Sequence, residues 1–232
     1  MNEMTLETAW KLLNISKSKQ TQFTKFEKCK DNYVGKLSCK KSNLFISKEL
    51  REQNKRLCSK MKVHNNKNII IILESPHKSE YSGTIPFPAL GNTGLCLNYY
   101  LHEIMYKFLQ NKKRTYKVFL LNCVPYQCSL GGNDRNIKNK IFKHMFNEYW
   151  KKDLLKRIKK LKPSIVLVAT TQILLKTKNK KKIYLKYQLL EDIRPIIKQK
   201  CNLYYSSTHP SAWFNKFEIY DYKNNNKLVF AN

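Results

Sequence analysis

The chain has 232 residues, of which 45 are Lys or Arg and 16 are Asp or Glu, so its formal net charge is +29. This length suits one domain with a sizeable core, and the 42% hydrophobic and 12% aromatic content excludes a disordered chain. Because such a charge opposes compaction, we expect a polyanionic partner, with nucleic acid first and an anionic membrane surface second.

The sequence predicts a cytoplasmic protein with reduced thiols. No apolar run approaches the roughly 20 residues of a membrane span. The first residues, MNEMTLETAWKLLN, are too polar for a signal peptide. The seven Cys have irregular spacings without a CxxC pair, which does not match a disulfide framework.

The first 67 residues are predicted to form a basic helical extension. They contain 16 Lys or Arg and 6 Asp or Glu. Their start is amphipathic, since Leu6, Ala9, Trp10 and Leu13 recur at helical spacing. Residues 68–232 are predicted to form the second unit, an α/β domain.

Strands alternate with helices from residue 68 onward. Four short, continuously apolar segments are predicted strands: Asn68–Leu73, Tyr116–Asn122, Ser164–Ala169 and Leu203–Ser207. The helices between them are predicted at Leu95–Leu109, Asn136–Leu161 and Leu185–Ile197, with a loop at Lys176–Lys182. This alternation predicts a three-layer α/β/α fold with a short central parallel sheet of about four strands.

Polar side chains follow three of the predicted strands. Glu74 begins Glu-Ser-Pro-His, Asn122 begins Asn-Cys-Val-Pro, and His209 lies in Thr-His-Pro-Ser. Each is weak alone, since an exposed Glu is usually solvated and a lone His is usually structural. Because parallel strands bring their carboxyl ends to one edge, we expect a carboxylate, an amide and an imidazole at a common site.

The motif order ESP, PALGNTG, LLNCVP and THPS resembles the uracil-DNA glycosylase superfamily. It is most similar to branches that carry Gly-Glu-X-Pro-Gly followed by Pro-Phe-Val-Gly-X-X-Gly. The resemblance covers the chain from about Asn68 to Phe214. It implies a small parallel sheet between helices. It also implies a DNA glycosylase that flips a base out of DNA and hydrolyses its N-glycosidic bond, leaving an abasic site.

The resemblance implies roles for the three strand-end residues. Glu74 matches the acid that stabilises an oxocarbenium-like sugar and helps to position water. Asn122 matches the asparagine that reads the base edge, and His209 matches the histidine that stabilises negative charge on the departing base.

A second set of residues is expected to contact DNA. Trp213 and Phe214 follow the His-Pro-Ser motif, where the family inserts an apolar side chain into the DNA stack, although core packing is an almost equal alternative. The remaining predicted DNA contacts are Ser75, Gly91, Asn92, Gly94, Arg135 and Ser211. For the polar residues of this set, the alternative role is the formation of a turn.

Departures from the family motif predict an unusual base. His77 replaces a motif Gly and adds a polar, titratable group. Ala89 stands where the family stacks a phenylalanine on the base, unless Phe87 supplies that ring. The predicted base-binding set is therefore Asn122, His77, Ala89 and Phe87. A wider, more polar pocket suits a bulky modified pyrimidine, such as a phage-type modified cytosine in antiviral defence, better than uracil in repair.

No cofactor is expected. The matching branch often holds an iron–sulfur cluster on a CxxC pair, a spacing that Cys29, Cys39, Cys58, Cys96, Cys123 and Cys128 lack. Metal binding by a subset of these thiols stays open. We expect a monomer that binds DNA and no membrane.

Two other functions compete with the glycosylase. The first is a catalytically inactive DNA-binding protein of the same fold, which has no need of the acid Glu74. The second is a hydrolase of free nucleosides, which does not require a net charge of +29. The combination of Glu74, Asn122 and His209 favours the enzyme.

Overall fold

The structure is a computed structural model that describes residues 3–20, 27–29, 32–38, 42–44, 67–81, 89, 91–109, 115–128, 135–171, 173–178, 181–224 and 226–230. Its strands are β1 (Asn32–Ser38), β2 (Ser42–Leu44), β3 (Lys67–Leu73), β4 (Thr115–Asn122), β5 (Ile165–Val168), β6 (Leu174–Lys178), β7 (Lys181–Tyr184), β8 (Asn202–Ser206), β9 (Phe217–Asp221) and β10 (Lys227–Phe230).

The helices within the same ranges are α1 (Leu6–Leu12), α2 (Lys17–Gln20), α3 (Asn92–Leu109), α4 (Arg135–Met145), α5 (Lys151–Leu161) and α6 (Leu185–Ile193). Three short 3₁₀ turns occupy Lys78–Tyr81, Arg194–Ile196 and Pro210–Ala212, and a π-helical turn, Phe146–Trp150, joins α4 to α5. Within this described part, no helix has the length and apolarity needed to cross a bilayer.

The predicted α/β class with a parallel sheet centre is confirmed. Eight described strands form one sheet in the order β10-β9-β8-β5-β3-β4-β1-β2. The four predicted strands are its parallel centre, β8-β5-β3-β4. Antiparallel strands extend both sides of it. β9 was not predicted, because only continuously apolar segments were expected to be strands. The burial of β9 alternates along FEIYD, the pattern of a strand with only one face covered.

The N-terminal region is not a wholly helical extension, which corrects the prediction. β1 pairs antiparallel with β4 from Asn32–Leu120 to Ser38–Thr115, so this part of the chain belongs to the sheet. A bulge between Tyr33 and Gly35 shifts the register, and Gly35 adopts φ 135°, a region that glycine tolerates best. The predicted amphipathic helix is present as α1 and buries its apolar face.

The run of apolar residues in β3 is explained by burial on both faces. Ile70 and Ile72 lie in one core cluster, which includes residues of α1, α4, α5 and α6. Ile69 and Ile71 lie in the other, which includes residues of α3. Since successive side chains of a strand point to opposite faces, both clusters pack against the same strand. Burial of each isoleucine contributes about 1.5–3 kcal/mol to the free energy of unfolding.

Two other predicted boundaries need correction. The Lys176–Lys182 stretch is not a loop, because β6 and β7 pair antiparallel from Leu174–Tyr184 to Lys178–Lys181. Backbone hydrogen bonding between strands does not require apolar side chains. The Lys-rich composition of this stretch therefore led to the wrong prediction of a loop. The predicted helix Leu185–Ile197 ends earlier, where Pro195 lies in a 3₁₀ turn.

The long helical segment after β4 was predicted within one residue. It spans α4, the π-helical turn and α5, and it ends where Lys162 adopts a left-handed φ of 46° before Pro163. This segment carries Lys138 to the carboxyl end of the sheet.

Candidate active site

A cavity of about 490 Å³ lies at the carboxyl ends of the parallel strands. Residues that follow β3, β5 and β8 line it, together with the first turns of α3 and α4. The described lining residues are Leu73, Glu74, Ser75, His77, Glu80, Gly91, Asn92, Thr93, Lys138, Thr171, His209 and Ser211. Two of the three strand ends expected to meet therefore do so, those of Glu74 and His209.

Glu74 is a buried carboxylate with two protein partners. Its Oε1 lies 3.0 Å from Nζ of Lys138, and its Oε2 accepts a hydrogen bond from the Thr171 hydroxyl. Burial raises the pKa of Glu74, while the Lys138 ammonium and the hydrogen bond from Thr171 oppose that rise. The carboxylate is thus held in place by one residue on α4 and one just after β5.

The backbone beside Glu74 is fixed by the neighbouring strand ends. Val124 donates its N–H to the carbonyl of Glu74 at 3.1 Å, and Cys123 donates to the carbonyl of Leu73 at 2.9 Å. On the other side, Ala169 donates to the carbonyl of Ile72 at 2.9 Å. These hydrogen bonds continue the sheet past the last residue of β3, so the acid sits on a rigid segment.

His209 is half-buried and presents a defined tautomer. Its Nδ1 accepts from the backbone N–H of Ser211 at 3.3 Å and lies 3.0 Å from the Ser211 Oγ. Because a backbone N–H only donates, Nδ1 is unprotonated and the neutral ring carries its proton on Nε2. Burial, together with the ammonium groups of Lys138 and Lys186, lowers the pKa of His209 to about 4. At neutral pH the ring is a neutral donor.

A second lysine supports the His209 segment from outside the cavity. Lys186 on α6 is buried, and its ammonium donates to the carbonyls of Ser206 and Ser207, the latter at 3.0 Å. Burial lowers the pKa of Lys186 to about 8. The ammonium therefore fixes the end of β8 immediately before the segment that carries His209.

The first turn of α3 forms another wall of the cavity. Gly91 precedes the helix with φ 83°, a conformation that favours glycine, and Asn92 and Thr93 follow it. Ser75 lines the same cavity, and its buried Oγ has no hydrogen-bond partner among the described residues. His77 is exposed at the same cavity. The wall therefore offers hydroxyl, amide and imidazole groups to a polar ligand.

Asn122 is not brought to the cavity with Glu74 and His209, and its predicted role in reading the base edge stays a prediction. It is buried, its Nδ2 lies 3.9 Å from Sγ of Cys29, and it is not among the described lining residues. Asn122 is the last residue of β4, so its side chain still projects from a face of the sheet rather than from its edge. Among the described lining residues, Asn92 supplies the carboxamide.

The predicted stacking position lies in the core. Ala89 is fully buried within the cluster that contains α3 residues, adopts φ 60° and is not among the described lining residues. Phe87 lies outside the described residues. No Phe, Tyr or Trp occurs among the described lining residues, whose aromatic rings are the imidazoles of His77 and His209.

The two aromatic residues after the His-Pro-Ser motif have different positions. Trp213 is fully buried, stacks on Phe217 with ring centroids 4.9 Å apart, and donates from Nε1 to the Ser206 Oγ at 3.0 Å. Trp213 is therefore packed in the core, which was the alternative to a DNA wedge, and it is not exposed at the surface. Phe214 is 43% exposed and lies 6.5 Å from Tyr99 between ring centroids.

The remaining predicted DNA contacts divide between the cavity and its surroundings. Gly91, Asn92, Ser75 and Ser211 line the cavity. Gly94 is buried in the first turn of α3 and is not among the described lining residues. Arg135 is the first residue of α4. Its side chain lies outside the described part.

Sequence reasoning missed Lys138, Thr171 and Lys186. Thr171 follows a predicted strand, so topology pointed to it although its segment looked unremarkable. Lys138 and Lys186 are two of 45 basic residues, and no local pattern separates them from the others. Only the packing of their helices against the strand ends distinguishes them.

Comparison with protein-family models, with curated proteins and with solved structures finds no match to this chain. The resemblance described above therefore rests on the motif residues and their order. Among the described residues, no group of three or more His, Cys, Asp or Glu is arranged to bind a metal ion.

Proposed function

We propose that the protein is a DNA glycosylase that extrudes a base from DNA and hydrolyses its N-glycosidic bond. One observation carries this proposal: Glu74 and His209, which are far apart in sequence, line one cavity. They are a carboxylate with an ammonium partner and a neutral imidazole with its proton on Nε2. This pair of groups matches the charges that the reaction creates.

Cleavage of an N-glycosidic bond develops positive charge on the sugar and negative charge on the base. The Glu74 carboxylate supports the sugar cation, and the Nε2–H of His209 donates to the base as it departs. Both oxygens of Glu74 already have protein partners, which favours a fixed electrostatic role and the orientation of a water. Neither role requires Asn122.

The net charge of +29 and the position of the cavity support DNA as the substrate. Extruding a base costs a few kcal/mol of lost stacking and pairing. Contacts to the phosphates offset part of this cost, and the cavity wall offers the first turn of α3 and Ser211 for them. Phe214, exposed near the same segment, is the remaining aromatic wedge.

The size of the cavity is compatible with a modified base. Its volume of about 490 Å³ lies within the range of about 300–1,000 Å³ seen for small-molecule sites. Its lining is polar and includes Ser75, His77 and Asn92. A pyrimidine with a bulky polar substituent, such as a phage-type modified cytosine, fits these properties, and its removal would serve antiviral defence.

The test is base release from DNA. The protein is incubated with duplexes that carry uracil, normal bases or phage-type modified cytosines, abasic sites are detected by alkali cleavage, and released bases are identified by mass spectrometry. We expect abasic sites with modified DNA, formed about 10³-fold or more slowly by the Glu74→Gln variant. Binding without abasic sites on any DNA would support the inactive binder, and cleavage of free nucleosides alone would support the nucleoside hydrolase.

DNA binding itself is tested by its dependence on salt. The logarithm of the binding constant should fall linearly with the logarithm of salt concentration, by about 0.9 for each phosphate contacted. Fluorescence anisotropy with labelled DNA measures this slope. A binding constant that does not change with salt would remove nucleic acid as the partner.

A further inference from the structure

Lys138 is the one cation among the described lining residues. It projects from the first turns of α4, its side chain is 20% exposed, and its Nζ lies 3.0 Å from Oε1 of Glu74. Its charge also lowers the pKa of His209. Lys138 therefore pairs with the group that supports the sugar and lines the same cavity as the group that supports the base.

An ammonium beside Glu74 is unfavourable for a reaction that only creates a cation. Two unit charges 4 Å apart interact by about 4 kcal/mol at the effective dielectric constant found near protein surfaces, so Lys138 would cancel much of the attraction between Glu74 and the sugar. This cost disappears if the reaction also places an anion beside the ammonium. Departure of the base creates such an anion in the same cavity.

We infer that Lys138 is a further catalytic residue, whose ammonium pairs with the negative charge of the departing base. The inference rests on the proposed glycosylase function. Glu74 and Lys138 then form a fixed pair of charges that complements the separating sugar cation and base anion, and His209 adds a neutral hydrogen bond to the base.

The step balances without a co-reactant other than water. The C1′–N bond breaks, and its electron pair leaves with the base while C1′ becomes electron-deficient. Water adds to C1′ and loses a proton to solvent, and the released base takes up a proton. Lys138 keeps its proton throughout, so it acts by charge.

The experiment uses the full chain and DNA analogues that can be designed before the natural base is identified. One oligonucleotide carries a nucleotide whose base is replaced by a carboxylate, and its partner carries the isosteric carboxamide. The wild type should bind the carboxylate about tenfold more tightly, the size expected for a partly screened charge pair. Lys138→Met should remove this preference, and Lys138→Arg should keep it.

The matched control is Lys140→Met, which removes one charge from an exposed position of the same helix. It should weaken binding of both analogues equally and leave their ratio unchanged. Thermal melting confirms that each variant is folded. A Lys138→Met variant that keeps the wild-type ratio, or that loses both analogues equally, would overturn the inference.

Base release from the DNA panel separates this inference from the proposed function. Release by the wild type that falls at least tenfold in Lys138→Met supports both. Release at the wild-type rate in Lys138→Met overturns the role of Lys138 and leaves the glycosylase intact. A carboxylate preference without base release from any DNA would overturn both the enzyme and the catalytic role of Lys138.

Discussion

The Glu74 end of β3 and the His209 end of β8 differ in which protonation state the protein favours. Burial penalises the charged form of both side chains. At Glu74 the Lys138 ammonium opposes this penalty and favours the carboxylate. At His209 the same ammonium, together with Lys186, adds to the penalty and favours the neutral ring. One lysine thus favours an anion at one strand end and a neutral donor at the other.

The two strand ends respond to pH in opposite directions. The pKa of His209 is lowered to about 4 from 6.5, so between these values the unfolded chain binds the extra proton. Stability from this group is therefore lost as pH falls from 6.5 to 4. The pKa of Glu74 is raised above 4.5, so the folded chain binds the extra proton just above that value, and stability from this group falls as pH rises there.

The largest expected effect comes from neutralising Glu74. Glu74→Gln keeps the shape and removes the charge that supports the sugar, so base release should fall about 10³-fold or more while DNA affinity changes little. Single-turnover formation of abasic sites measures the rate. Glu103→Gln is the control, because Glu103 is a partly exposed acid on α3 that pairs with Lys107. Equal rates in the two variants would place the acid elsewhere.

Removing the neutral donor should have the next largest effect. His209→Ala leaves the departing base without its hydrogen bond, and loss of one such donor typically slows a reaction by about 10²–10³-fold. Ser211→Ala is the matched variant, because it keeps the backbone N–H that fixes the tautomer. It should reduce the rate far less. A Ser211 variant as slow as the His209 variant would contradict the proposed tautomer.

Substitution of the buried residue that follows the His209 motif should reduce the stability of the protein rather than the rate of base release. Trp213→Phe leaves the buried Ser206 hydroxyl without its donor, which should cost about 1–3 kcal/mol of the free energy of unfolding. Urea denaturation measures this change. Phe214→Ala, at the exposed neighbouring position, should cost less. The opposite order would mean that Phe214, not Trp213, is the residue packed in the core.

The smallest expected change is a shift of one pKa. Lys186→Met removes an ammonium that lowers the pKa of His209, while Lys138 remains, so this pKa should rise from about 4 toward its ordinary value. NMR titration of the His209 ring measures the pKa directly. The pH–rate profile is less informative, because protonation of Glu74 begins at higher pH. An unchanged pKa would mean that Lys186 acts on His209 only through the backbone.

The sequence predicted the parallel centre of the sheet because β3, β4, β5 and β8 are buried on both faces and therefore appear as continuous apolar runs. It also predicted that Glu74 and His209 lie in one cavity, since both follow parallel strands. These conclusions depend on the hydrophobic pattern within each segment and on the order of strands and helices along the chain, and both can be read from one sequence.

The tertiary structure decided the rest. Whether a strand-end side chain enters the cavity depends on which way its backbone turns, and this separates Glu74 from Asn122. Whether an aromatic residue is core or surface depends on the elements packed over it, as for Trp213 and Phe214. Among 45 basic residues, the packing of α4 against the strand ends selects Lys138, because the energy of a charge depends on its distance to other charges and on burial.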